Sequence, residues 1–236
     1  MKKMKMAALV LALVLILSVF AGCGAVKWDD MKKKDVVATV NGTEITKQHV
    51  LYQNAQDEIR NQISANLLSQ LGASADEEDA GMNESFISTL TKVILGELAR
   101  EAGYGITEDE AYEKAYNDLI LSTKKTGYDY LSDYNQQVKE ALYFDDDLML
   151  EYASQDIYHG TPINKYVLAL MEEMQDEYPE ETDPKNEQLM EAVVAKLTED
   201  AKALDIQLNY HNKKVLEELD VARFVKSAGM TFHRGE

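Results

Sequence analysis

Residues 36–50 read VVATVNGTEITKQHV, and this stretch decides how the fold begins. Two short runs with β-branched residues flank Asn41-Gly42, a dipeptide that strongly favours a two-residue turn between antiparallel strands. Thr46 then has the character of a helix N-cap, because its hydroxyl can accept a hydrogen bond from the first helical turn. The stretch therefore predicts a β-hairpin over residues 36–45 that leads directly into a helix.

Helical periodicity dominates the middle of the chain, where apolar residues recur every three or four positions. A helix is predicted to start at Asn83 or Ser85 and to end near Gly103. The next helix is predicted to start at Thr107, because Thr107 and Glu110 have the spacing of a capping box. Strand signals therefore occur only before this helical region, at residues 36–45, and after it, at residues 205–210.

Two later segments complete the predicted architecture. Thr161-Pro162 predicts an N-cap followed by the first residue of a further helix, since proline fits the first helical position. Residues 205–210 (DIQLNY) alternate apolar and polar side chains, as a strand does. We expect this strand to pair with the N-terminal hairpin. The predicted fold is mainly α, with a small antiparallel sheet formed by the hairpin and the C-terminal strand.

The first 24 residues, MKKMKMAALVLALVLILSVFAGCG, are typical of a targeting segment. Lysines precede an uncharged apolar run, and small residues precede Cys23, the single cysteine. The segment resembles a bacterial lipoprotein signal, which implies a signal peptide over residues 1–22, lipidation of Cys23 and a tether over residues 23–35. An ordinary cleaved signal and an uncleaved membrane helix are the alternatives. The expected location is the extracytoplasmic face of the cell membrane, held by the lipid.

The charge of the chain narrows the classes of partner. Its 42 acidic and 24 basic residues give a formal net charge of −18. Binding to nucleic acid depends on Lys and Arg contacts to phosphate, so this composition argues against a nucleic-acid partner. With one cysteine assigned to lipid, neither a disulfide nor a cysteine-ligated metal site is expected.

No motif indicates covalent chemistry. The four histidines (His49, His159, His211 and His233) lack paired metal-ligand spacing and are interpreted as surface or partner-satisfied residues. Asp145-Asp146-Asp147 lacks the spacing of a calcium loop and is interpreted as a solvated helical face. We therefore predict no catalytic residues, no metal and no cofactor.

One amphipathic segment is a candidate surface for binding unfolded polypeptides. It combines flexible methionines with tyrosines, which suit adaptable recognition. Ordinary core packing is the simpler interpretation of the same pattern. The candidate residues are Tyr166, Leu170, Met171, Met174 and Tyr178.

The opening stretch resembles the start of SurA/PrsA-type extracytoplasmic foldases, whose N-terminal domain commonly begins V-A-x-V-N-G-x-x-I-T. The segment over residues 90–114, in which Ala99, Gly103 and Ile106 are among the matching positions, and the closing helix and strand resemble the same domain. The resemblance covers roughly residues 36–210, which leaves residues 211–236 as a C-terminal extension. The matching positions are Val37, Ala38, Val40, Asn41, Gly42, Ile45 and Thr46, followed by Ala99, Ala102, Gly103, Ile106, Thr107 and Glu110.

The resemblance implies a chaperone-like helical domain that holds unfolded or secreted polypeptides without covalent chemistry. Many of these foldases carry an inserted parvulin-type prolyl isomerase domain. Here the corresponding place holds only residues 159–186, too few for such a domain, and neither an H-I-L-V strand nor a G-G-D-L-G loop is present. A divergent prolyl isomerase and a structural or adaptor lipoprotein are the alternative functions.

Overall fold

The computed structural model of the protein describes residues 26–70, 81–121, 130–178, 187–211 and 213–230. Its strands are β1 (Val36–Val40), β2 (Thr43–Thr46) and β3 (Ile206–Leu208). Its helices are α1 (Lys47–Gln70), α2 (Met82–Glu101), α3 (Glu108–Tyr116), α4 (Tyr130–Leu142), α5 (Asp146–Met174), α6 (Glu187–Ala201) and α7 (Val221–Gly229). The structure is 75% helical with one small antiparallel sheet, which confirms the predicted fold class.

The hairpin forms where the sequence predicts it. Asn41 has a φ of 47° and Gly42 a φ of 87°, the left-handed conformations that a tight hairpin turn requires. The strand order is β2-β1-β3, so β1 is central and pairs antiparallel with both neighbours. Val40 lies opposite Thr43 on one side and Ile206 on the other. The predicted pairing of the two ends of the domain is confirmed.

Asn41 also links the hairpin to the C-terminal strand. Its backbone N–H donates to the carbonyl of Asp205, and its side-chain oxygen accepts from the N–H of Asp205, both at 2.9 Å. Its side-chain amide donates to Glu101 at the end of α2, at 2.8 Å. One turn residue therefore connects three parts of the fold that are far apart in the sequence.

Helix α2 lies at the centre of the main hydrophobic core. Phe86, Leu90 and Ile94 are fully buried along one of its faces. They pack with apolar side chains of β1, α5 and α6. Each fully buried side chain of this size contributes about 1.5–3 kcal/mol relative to its exposed state. A second, smaller cluster joins α1, α4 and the start of α5.

Residues on both sides of the predicted domain pack onto this main core. Trp28, within the predicted tether, contacts Phe86 and donates its indole N–H to Asn83 at 2.9 Å. Beyond residue 210, Val221 and Val225 of α7 are buried in the same core. The described parts of the tether and of the C-terminal extension are therefore docked on the helical body.

The course of helix α5 contradicts one prediction from the sequence. The helix runs without a break through 29 residues, with Pro162 in its interior, so a helix start at Thr161-Pro162 is wrong. A proline inside a helix loses a hydrogen bond and crowds the preceding turn, at a cost of about 3 kcal/mol. Packing on both sides outweighs that cost, because Met149 and Leu150 are buried before the proline and Ile163 and Val167 after it.

The predicted start of α3 and the predicted end of α2 are confirmed, whereas α2 begins at Met82 rather than at Asn83 or Ser85. Thr107 and Glu110 form both hydrogen bonds of the predicted capping box at the start of α3. Gly103 has a φ of 88° just beyond the end of α2, and its N–H donates to Arg100 O at 2.9 Å. Asp145, for which the sequence predicts only a solvated helical face, caps α5 by accepting from the Leu148 N–H at 2.8 Å. These caps determine where α3 and α5 begin, and both starts border the cavity described next.

Candidate functional site

A cavity of about 600 Å³ opens between β2, α1, α2, α3 and α5. Its lining is mixed, with tyrosines, carboxylates, two histidines and one lysine. Cavities of this size hold small ligands or a few side chains. The aromatic lining residues are Tyr52, Tyr112, Tyr152 and Tyr158, and the acidic ones are Glu44, Glu108, Asp109, Asp147, Glu151 and Asp156.

Helix α5 supplies one wall of the cavity by simple periodicity. Asp147, Glu151 and Gln155 are four residues apart, so they share one face of the helix. Tyr158 and His159 extend the same face by about one turn. The acidic first turn of α3, which follows its capping box, adds Glu108 and Asp109 to the lining.

His49 joins the wall of α1 to the wall of α5. Its Nδ1 accepts from the Thr46 backbone N–H at 2.9 Å, which satisfies a donor at the start of α1. Its Nε2 then carries the proton and donates to Gln155 Oε1 at 2.5 Å. Burial lowers the pKa of His49, although the Gln155 bond and Glu151 oppose the shift. Both ring nitrogens of the neutral imidazole are thus occupied in holding the two walls together.

Lys92 is the one lysine in the described lining of the cavity, and it is already neutralised. Its ammonium forms an ion pair with Asp156 and also donates to Gln53 Oε1 at 3.0 Å. The pair is only partly exposed, so it is screened by salt less than a surface pair. It links α2, α5 and α1 across the inner part of the cavity.

A second, partly buried cation packs against the side chains of the α5 wall. The Arg100 guanidinium lies 4.4 Å from the centre of the Tyr158 ring and forms an ion pair with Glu97. It also donates to His159 Nδ1 at 3.3 Å. Burial, followed by the charge of Arg100, lowers the pKa of His159 to about 3. His159 is therefore neutral under ordinary conditions.

Three aromatic rings stiffen the side of the cavity near α4. Tyr52 stacks on Phe144 with ring centroids 6.4 Å apart, and Tyr152 contacts both rings at 5.7 and 5.3 Å. Burial raises the pKa of Tyr52 well above its usual value, so its hydroxyl stays protonated. The rings give the site a rigid, partly apolar face beside its carboxylates.

The five residues predicted to bind polypeptides lie elsewhere on α5 and just beyond it. Leu170 and Met171 are buried in the main core, and Tyr166 packs against Tyr104 with centroids 5.5 Å apart. Met174 and Tyr178 are partly buried against the same core. None of the five lines the cavity, and binding at these positions stays a prediction. Cys23 and His233 lie outside the described residues.

Two further observations concern metals and membranes. Within the described ranges, no group of three or more His, Cys, Asp or Glu residues is arranged to hold a metal ion. None of the helices in the part of the chain that the structure describes is both long enough and apolar enough to cross a bilayer.

These features define a helical domain in which the N-terminal hairpin and the C-terminal strand pair in one sheet. Its open cavity is suited to non-covalent binding. The family model for the SurA-like N-terminal domain matches residues 1–128, more than half of the chain. The protein therefore belongs to the SurA-like N-terminal domain family, as its opening stretch indicates, and that family is chaperone-like. No curated protein and no solved structure matches the chain.

Proposed function

We propose that the protein is a membrane-anchored extracytoplasmic chaperone that binds unfolded or secreted polypeptides non-covalently in the cavity between α1, α3 and α5. The cavity carries this proposal, because it offers aromatic faces beside polar groups and is open to an extended chain. Family membership supports polypeptides as the ligand class. The leader and Cys23 support anchoring by lipid.

Aggregation of an unfolded client tests the binding proposal. The full-length chain in neutral detergent is expected to suppress aggregation of a chemically denatured client at a few-fold molar excess. Ser154→Trp is expected to abolish most of that suppression, because Ser154 lines the cavity and an indole there occupies its volume. Light scattering during dilution from denaturant gives the measurement.

Thr198→Trp is the matched control for this blockade. Thr198 is exposed on α6 and is not part of the cavity lining. It introduces the same side chain, so it is expected to leave suppression unchanged. Equal suppression by Ser154→Trp and the unmodified protein would exclude the cavity as the binding place. An inactive unmodified protein would exclude a general holding chaperone.

Membrane attachment is tested separately through Cys23. Cys23→Ser is expected to abolish incorporation of a labelled fatty acid and to shift the protein out of the membrane fraction. The reason is that acylation requires the thiol, and each buried methylene of the lipid contributes about 0.8 kcal/mol to membrane binding. Labelling that persists in Cys23→Ser would exclude lipidation at this residue.

A further inference from the structure

The charges around the cavity are strongly unbalanced. Six carboxylates line it against one lysine, while burial lowers the pKa of His49 and of His159 and keeps both neutral. Asp156 is paired with Lys92. Among the described residues, the other five form no ion pair and no hydrogen bond with a cationic side chain; they are Glu44, Glu108, Asp109, Asp147 and Glu151.

Helix capping explains only part of this acidity. Glu108 and Asp109 lie in the first turn of α3, and Asp147 lies in the first turn of α5, where carboxylates are favoured by the helix dipole. Glu44 is in a strand and Glu151 is in the second turn of α5, so neither has that role. Because they reach one concave opening from different elements, their negative potentials add there.

Tyrosine faces lie beside these carboxylates. Tyr112 lines the cavity and is 52% exposed, and Tyr116, one turn further along α3, is 41% exposed. An aromatic face attracts Lys or Arg through its ring electrons. The protein itself shows this geometry within the cavity wall, where the Arg100 guanidinium lies over Tyr158. Carboxylates and tyrosine faces together match a cationic side chain on an extended chain, with α3 continuing the binding surface outward.

We propose that the cavity selects extended polypeptide segments that carry Lys or Arg. This inference rests on the proposed function and adds the class of client that the site prefers. The cation enters between Glu44 and Glu151, and the neighbouring residues of the client lie on the tyrosines. The Lys92–Asp156 pair closes the inner end of the site without offering a free positive charge that would repel the client.

Three labelled peptides of equal length test this selectivity. All three contain the same Ala and Tyr residues and differ only at the remaining positions, which are Lys in the first peptide, Gln in the second and Glu in the third. Each peptide is titrated against the full-length chain in neutral detergent at low salt. The Lys peptide is expected to bind about tenfold more tightly than the Gln peptide, and the Glu peptide most weakly. The preference is expected to weaken as salt rises, because the rim carboxylates are exposed.

The double variant Glu44→Gln/Glu151→Gln is expected to remove most of the preference for Lys, measured as the ratio of the dissociation constants of the Gln and Lys peptides. Neither change touches a helix cap. The matched control Glu191→Gln/Glu217→Gln removes the same charge from exposed positions outside the cavity lining. The control is expected to keep the preference for Lys.

Each outcome separates the two proposals. If the control loses the preference as fully as the cavity variant, net charge rather than the cavity attracts cations, and the inference is wrong. If the unmodified protein binds the Lys and Gln peptides equally, the selectivity is wrong but polypeptide binding stands. If no peptide binds and client aggregation is not suppressed, the proposed function itself fails.

Discussion

Gly96→Ala is expected to destabilise the protein by about 1–3 kcal/mol, because the added methyl group has no room where α2 crosses α5. A Cβ at Gly96 would lie 3.0 Å from the His159 carbonyl oxygen and 3.1 Å from the His159 Cα. These are backbone atoms of a helix held by buried residues on both sides of the crossing, so α5 has little freedom to move away. The free energy of unfolding in urea measures the effect.

Gly160→Ala is the matched control for this crossing, and its expected effect on stability has the opposite sign. Gly160 follows His159 in α5, and a Cβ there would meet nothing within 4 Å. Alanine in place of a helical glycine is expected to stabilise the protein by about 0.5–1 kcal/mol. A neutral or stabilising Gly96→Ala would show that the two helices are not in tight contact. Because Tyr158 and His159 line the cavity, Gly96→Ala is also expected to weaken client binding.

The sequence predicts the two ends of the fold well because their signals are local. Asn41-Gly42 admits few conformations other than a tight turn, and a two-stranded hairpin is too small to be stable alone. A third strand was therefore required, and the alternation of residues 205–210 supplied it. The hydrogen bond between Asn41 and Asp205, 164 residues apart in the chain, is the result.

Pro162 shows where local signals fail. Thr161-Pro162 has the composition of a helix start, and no pattern within a few residues reveals that α5 continues through it. The decision depends on burial of Ile163 and Val167 against helices that are distant in the sequence. Tertiary packing can override a local cost of this size, and only the assembled core shows that it does.

The lining of the cavity could not be predicted from the sequence for a related reason. Its lining comes from five elements, and many of its residues also have a local explanation. Glu108 and Asp109 are ordinary acidic residues of a first helical turn. The hydrogen-bond partner of His49 Nε2 is Gln155, which is 106 residues away in the sequence. The usable signal was the polar spacing of 147, 151 and 155 on a helix whose other face is apolar. Conversely, the apolar periodicity at Leu170 and Met171 does not by itself distinguish a binding face from the core, where both residues lie.

His211→Phe is expected to stabilise the protein by about 1–3 kcal/mol at pH 7, because it removes two buried ring nitrogens that have no hydrogen-bond partner in the part of the chain that the structure describes. The His211 ring stacks on Phe86 with centroids 4.0 Å apart and lies 5.4 Å from Trp28. Both of its nitrogens are buried without a partner among the described residues. A phenyl ring keeps the stacking and needs no hydrogen bond.

The advantage of His211→Phe is expected to grow on acidification. Burial lowers the pKa of His211 to about 4, against 6.5 in the unfolded chain. Between these pH values the unfolded state binds more protons at His211 than the folded state does. The free energy of unfolding of the unmodified protein therefore decreases as pH falls from 6.5 towards 4, and the variant does not share this loss. Comparing variant and unmodified protein by urea unfolding at pH 7 and at pH 5 cancels the contribution of the carboxylates, which both share.

His49→Phe is the control, because the same substitution there should act in the opposite direction. His49 accepts from the Thr46 N–H and donates to Gln155, so a phenyl ring leaves both groups without their partner. We expect a loss of about 1–3 kcal/mol. If His211→Phe also destabilised the protein, the ring nitrogens of His211 would have to be hydrogen-bonded. If its advantage were the same at both pH values, His211 would titrate alike in the folded and unfolded chains, and burial would not be what keeps it neutral.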